Sequence, residues 1–124
     1  MSRVILIIDD DLTMQRIITL MLSAEDFQIA VAANVADGFK TIDQQIPDLI
    51  LCDVMMPGAD GLDFIWKCRQ MPELNAVPII SISASSEGEL IEQAIKRGSF
   101  AFLSKPFSAF QLLEMVTLAL QDRS

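Results

Sequence analysis

The chain changes its hydrophobic period repeatedly along its length. Val4-Ile5-Leu6-Ile7-Ile8 is apolar without alternation, as are Leu49-Ile50-Leu51-Cys52 and Val77 to Ile82, the last broken by Pro78 and Ser81. Short unbroken apolar runs suit strands buried on both faces. Gln28 to Ala32 and Phe100 to Leu103 are weaker runs, as expected of strands nearer the edges of a sheet. Between these runs apolar residues recur at three-and-four spacing, which predicts helices. The stripes are Met14, Ile17, Ile18, Met21 and Leu22; then Val35, Phe39, Ile42 and Ile46; then Leu62, Ile65 and Trp66. Leu90, Ile91, Ala94 and Ile95 form the fourth, and Leu112, Val116 and Leu120 the fifth. Asn34 stands as an N-cap with Asp37 three residues on, and Gly98 as a stop signal behind Lys96 and Arg97.

Strand and helix thus alternate five times. Strands separated by helix-length crossovers imply a parallel sheet covered on both faces. Right-handed crossovers bring the C-terminal ends of the strands to one edge, where ligands bind in such folds. The residues that follow the strands are therefore the ones to read. Asp9-Asp10-Asp11 follows Ile8, Asp53 follows Cys52, Ser83 follows Ile82, and Ser104-Lys105 follows Leu103.

Composition narrows the chemistry. The 124 residues fill one domain, and no internal repeat or linker divides them. The net charge of −8 has the wrong sign for direct nucleic-acid binding and favours basic partners or a divalent cation. Cys52 and Cys68 are not in a C-x-x-C pair and there is no histidine, so a soft-metal site is not indicated; both read as small buried hydrophobes. The apolar run at the N-terminus is too short for a signal peptide, and no stretch approaches a membrane span. A cytoplasmic protein that makes no membrane contact is expected.

Crowded carboxylates repel one another unless a cation sits among them. Mg²⁺ is the natural cation, because it takes oxygen ligands and usually one or two carboxylates together with a phosphate. A carboxylate can also serve as a nucleophile and carry an aspartyl phosphate. Transfer then requires positioning and neutralisation of three phosphoryl oxygens. Mg²⁺, the Lys105 ammonium and the Ser83 hydroxyl with neighbouring backbone N–H groups would divide that work. Each residue also has a local explanation. Asp10 and Asp11 can favour the first helix N-terminus, Asp53 can open a turn ahead of Pro57, Gly58 and Gly61, Ser83 can cap a helix, and Lys105 can be a solvated lysine. Four such coincidences at the ends of four of the five strands are a poorer account than one shared site.

In these residues the sequence resembles the receiver domain of bacterial two-component response regulators. The carriers are Ile7 to Asp11, Leu51 to Gly61, Val77 to Ala84, and Ser104-Lys105-Pro106-Phe107, and the resemblance spans residues 1–124 as one receiver domain. It implies a flavodoxin-like fold, a five-stranded parallel sheet in order 2-1-3-4-5 with five helices. It implies that Asp53 is the phosphoacceptor in phosphorelay signalling. Asp9, Asp10, Asp53 and the main-chain carbonyl of Met55 would hold Mg²⁺, with Mn²⁺ as its substitute. Ser83, Ala84 and Lys105 would bind the phosphoryl group. Ser83 and Phe102 would act as switch residues, and Met55 and Ser85 would tune the lifetime of the phosphate. The Lys105–Pro106 bond would be cis. Phe100 departs from the family pattern and is either a partner contact or a single exposed apolar residue. The implied partners are a sensor histidine kinase or phosphotransfer protein and a downstream target or output domain, with dimerisation on phosphorylation open. The domain would promote its own phosphorylation and dephosphorylation without being an enzyme.

Two other readings compete. Asp9-Asp10-Asp11-Leu12-Thr13 fits the D-x-D-x-T pattern of haloacid-dehalogenase-like phosphatases, in which Asp9 would be the nucleophile. That reading leaves Asp53 without a role. A flavin module would need a donor-rich first turn, where this chain has three aspartates.

Overall fold

A computed structural model describes residues 2–56 and 61–121. Pro57 and Gly58, expected in the turn after Asp53, lie outside the described residues. Five strands alternate with five helices: β1 Arg3–Ile8, α1 Leu12–Leu22, β2 Phe27–Ala32, α2 Val35–Gln44, β3 Leu49–Asp53, α3 Gly61–Gln70, β4 Ile79–Ser83, α4 Gly88–Arg97, β5 Ala101–Ser104 and α5 Ala109–Gln121. All pairings are parallel and the order is β2-β1-β3-β4-β5, as the family resemblance implies. The two weaker apolar runs are the two edge strands.

The unbroken runs are apolar because both faces of the sheet are covered. Leu6, Ile8, Ile50, Cys52 and Ile79 face one core, filled by Ile42 of α2, Phe64, Ile65 and Cys68 of α3, and Ala94 of α4. Ile5, Ile7, Leu49, Leu51, Ile80, Ile82 and Leu103 face the other, filled by Ile18 and Leu22 of α1 and by Leu112, Val116 and Leu120 of α5. Each fully buried aliphatic or aromatic side chain contributes about 1.5–3 kcal/mol before the entropy of ordering it is counted. Phe39 and Phe64 meet with ring centroids 5.1 Å apart and tie α2 to α3. Gly38 lets α2 approach β1, for a Cβ there would stand 2.7 Å from Ile8 Cδ1.

The helical stripes need adjustment at four residues. In α3 the inward residues are Phe64, Ile65 and Cys68, while Trp66 is half exposed. Ile46 lies beyond the end of α2 and is exposed, and Ile17 and Ile95 also face outward. Asn34 caps α2 as expected, its Oδ1 accepting from the Asp37 N–H at 2.8 Å. Gly98 ends α4 in the left-handed region at φ 116°.

Candidate functional site

The site lies where β1, β3, β4 and β5 end on the same edge of the sheet. The ladder sets the positions. Ile8 pairs with Cys52, Asp53 with Ile82, and Ser83 with Ser104, so the residues that follow in β1, β4 and β5 crowd around the end of β3. The Lys105 N–H donates to the Ser83 carbonyl at 2.8 Å and carries the ladder one step past β5.

Carboxylate oxygens of Asp9, Asp10 and Asp53 all lie within 4.8 Å of one another. Asp9 and Asp53 are buried and Asp10 is exposed. Lys105 reaches in from the β5 side. Its Nζ donates to Asp53 Oδ2 at 2.9 Å and to Asp9 Oδ2 at 3.1 Å. The second oxygens of both acids are also held: Asp53 Oδ1 accepts from the Met55 N–H at 2.8 Å, and Asp9 Oδ1 from the Asp11 N–H at 2.9 Å. Burial pushes the Asp9 carboxyl above its ordinary pKa, more than its hydrogen bonds from Asp11 and Lys105 pull it down. Burial acts against the Lys105 charge, but its bonds to Asp53 and Asp9 prevail and raise its pKa. Three carboxylates against one ammonium leave the cluster net negative. An all-oxygen donor set opening to solvent through Asp10 fits a hard divalent cation, which bears out the expectation of a metal-competent acidic cluster.

The local explanations can now be assigned. Asp11 is the N-cap of α1, its carboxylate accepting from the Thr13 N–H at 2.9 Å, whereas Asp10 is left to the acidic cluster. Ser83 is not a helix cap. α4 begins behind Glu87, and the buried Ser83 hydroxyl oxygen closes a turn by accepting from the Ser85 N–H at 3.0 Å. Lys105 is half-buried and paired, not solvated. Ala84 follows Ser83 on the exposed side, Met55 is exposed beside Asp53, and Ser85 is half-buried. Phe102 is half-buried and packs on the core beneath α4, while Phe100 is partly exposed just ahead of β5 and donates its N–H to the Ile79 carbonyl at 2.7 Å. The Lys105–Pro106 peptide is cis. Cys52 and Cys68 are fully buried free thiols; burial pushes Cys68 up to about 12 and Cys52 above the usual thiol range, so both stay protonated and inert at neutral pH.

Two further residues support the site: Gly61, which the sequence marks only as a turn residue, and Gln15, which the sequence reading does not single out. Gly61 opens α3 against the end of β3, where a Cβ would stand 2.6 Å from Val54 Cα and 3.1 Å from the Asp53 carbonyl oxygen. Gln15 is buried in the first turns of α1, and its side-chain amide donates to the Asp9 carbonyl at 2.7 Å. A glutamine one residue after Met14 in an otherwise apolar stripe was the available signal.

Known proteins share this fold and family. The family model for the response regulator receiver domain matches residues 5–117. An uncharacterized 14.6 kDa protein from Leptolyngbya boryana is 30% identical over 112 residues, 90% of this chain and 86% of that protein. The transcriptional regulatory protein ResD of Bacillus subtilis is 33% identical over 120 residues, 97% of this chain but 49% of its own length. The chain thus spans about half the length of the DNA-binding and transcriptional regulators it matches. A crystal structure of a putative response regulator from Chloroflexus aurantiacus superposes with a TM-score of 0.92 at 28% identity, covering 98% of this chain and 99% of that one.

Proposed function

Because the chain belongs to the response regulator receiver domain family, and so to phosphorelay signalling, we propose that it accepts a phosphoryl group on Asp53 in a Mg²⁺-dependent step and changes its partner preference as a result. The observation that carries the proposal is the convergence of Asp9, Asp10, Asp53 and Lys105 on one strand end. The Asp9, Asp10 and Asp53 carboxylates, with the Met55 carbonyl, are the groups that would hold Mg²⁺, which when bound supplies charge neutralisation at the phosphoryl oxygens.

The chain's own groups have defined tasks. The Met55 N–H and Lys105 fix the Asp53 carboxylate in one orientation, so one of its oxygens is presented to an incoming donor. That oxygen bonds to the phosphorus of a phosphohistidine on a sensor kinase or phosphotransfer protein. The phosphorus–nitrogen bond breaks, and its electron pair leaves on the imidazole nitrogen. Lys105 then neutralises a phosphoryl oxygen in place of a carboxylate oxygen, and the Ser83 hydroxyl and Ala84 N–H are the donors for another. Water resets the switch by attacking phosphorus, which releases inorganic phosphate and restores the carboxylate. The reaction is confined to the domain's own side chain, so the protein is a switch and not an enzyme acting on a separate substrate.

The readout is a population shift between two arrangements. A tenfold shift requires about 1.4 kcal/mol of differential contact energy, which one charge-assisted hydrogen bond gained in one state supplies. Phe102, half-buried on the edge strand, would report it. A downstream protein or output domain, or a second phosphorylated copy, would read the change.

Incubation with acetyl phosphate and Mg²⁺, followed by intact-mass measurement, tests the reading. Wild type and Asp9→Asn should gain a phosphoryl group, the latter more slowly, and Asp53→Asn should not. Full labelling of Asp53→Asn with loss in Asp9→Asn would instead favour the phosphatase-like assignment.

A further inference from the structure

Asp9 is held through both its backbone and its carboxylate. Its N–H donates to the Ala32 carbonyl at 3.1 Å and prolongs the β1–β2 ladder. Its carboxylate accepts from the Asp11 N–H and from Lys105. Its carbonyl accepts from Gln15 Nε2 at 2.7 Å, in a contact that is buried. A carbonyl can only accept, so the amide nitrogen of Gln15 must be the end that faces it.

That carbonyl belongs to the same planar peptide unit as the N–H of Asp10. Fixing its direction fixes the plane from which Asp10 departs. Among the described residues no hydrogen bond or ion pair holds the Asp10 carboxylate, so its approach to Asp9 and Asp53 depends on the direction from which the backbone launches it. Gln15 is itself well anchored: its N–H donates to the Asp11 carbonyl at 3.0 Å, and its carbonyl accepts from Thr19 Oγ1 at 2.7 Å. A neutral amide suits the position, since it orients the carbonyl without adding a charge to compete with a cation beside it. One residue earlier, at the third helical position, a glutamine would reach back to the cap N–H. At residue 15 it reaches past the cap to the end of β1.

We propose that Gln15 is a positioning residue for the divalent-cation site, orienting the Asp9–Asp10 peptide so that the Asp10 carboxylate is presented to the ion. The inference rests on the Mg²⁺ reading above and goes beyond it by assigning cation affinity to a buried side chain that touches neither ion nor phosphate. Gln15→Leu keeps the side chain's approximate size and removes the donor. Gln15→Met keeps its length and removes the donor without adding a charge. Both should weaken Mg²⁺ binding.

The test is calorimetric titration of the unphosphorylated protein with MgCl₂, alongside labelling by acetyl phosphate across a Mg²⁺ series. Loss of one buried hydrogen bond that orients a ligand predicts an increase of about fivefold in the Mg²⁺ dissociation constant. The half-saturating Mg²⁺ for labelling should rise in parallel, with the rate at saturating Mg²⁺ nearly unchanged. A lower melting temperature in chelator with an unaltered Mg²⁺ dissociation constant in both variants would overturn the proposal and leave Gln15 a packing residue. Should Gln15→Leu fail to fold, Gln15→Met carries the test. Wild type that binds no Mg²⁺ would instead defeat the underlying functional reading.

Discussion

Lys105 is shared between two buried carboxylates, and that sharing decides what its loss would do. Replacing it with Met leaves Asp9 and Asp53 side by side with no counter-charge. In chelator the variant should lose roughly 2–3 kcal/mol of stability, the cost of stranding partly buried acids. Added Mg²⁺ should recover most of that loss, because a cation among the acids does the same electrostatic work. Urea titrations of Lys105→Met and wild type with and without Mg²⁺ measure the difference, and an equal loss in both buffers would contradict the account. Met55 makes a different prediction. Its side chain is exposed beside Asp53 while its N–H holds the carboxylate. Met55→Asn keeps that N–H and changes what lies beside the acyl phosphate. The decay rate of phosphorylated protein should change severalfold while the unfolding free energy from urea titration stays within about 0.5 kcal/mol of wild type, as for other exposed substitutions. Equal decay rates would remove Met55 from the tuning role.

Among the helices, α4 is the least committed to the fold. Ala94 is its buried residue, and its N-cap Glu87 makes no side-chain capping bond. Its two terminal glycines should respond to alanine in opposite directions. At Gly88 an added Cβ would meet nothing within 4 Å, so Gly88→Ala should stabilise the domain by roughly 0.5–1 kcal/mol through reduced backbone entropy of the unfolded chain. At Gly98 the backbone is left-handed at φ 116°, and a Cβ would stand 2.5 Å from Arg69 Cγ. Arg69 cannot yield easily, since its guanidinium donates to the carbonyls of Leu74, Asn75 and Val77. Gly98→Ala should therefore destabilise by more than about 1 kcal/mol. Denaturant midpoints of the two variants check both signs. A lightly held α4 beside the edge strand that carries Phe102 suits a segment that shifts when the strand end changes charge.

For the whole molecule, the alternation of elements and the gathering of polar residues at one sheet edge were legible in the chain. Both follow from periodicity and from the handedness of crossovers, which are local or general rules. The strand order was not legible from the residues themselves and came with the family resemblance, because parallel pairing depends on which strands meet across long crossovers. The placement of Asp9, Asp10, Asp53 and Lys105 was anticipated. The contact of Gln15 with Asp9 was not, since a side chain reaching from a helix back to a strand end leaves no periodic trace. Trp66 was misplaced for a related reason: Phe64 and Cys68 compete for the inward face of α3, and spacing alone does not choose between adjacent apolar residues.

The central claim is that Asp53 carries the phosphoryl group, and chemical mapping tests it most directly. Protein treated with acetyl phosphate and Mg²⁺ is reduced with borohydride, which converts an aspartyl phosphate to homoserine, and its peptides are sequenced by mass spectrometry. Homoserine at position 53, absent when chelator replaces Mg²⁺, is the predicted result. Homoserine at position 9 or 10, or none at any aspartate, would contradict the account.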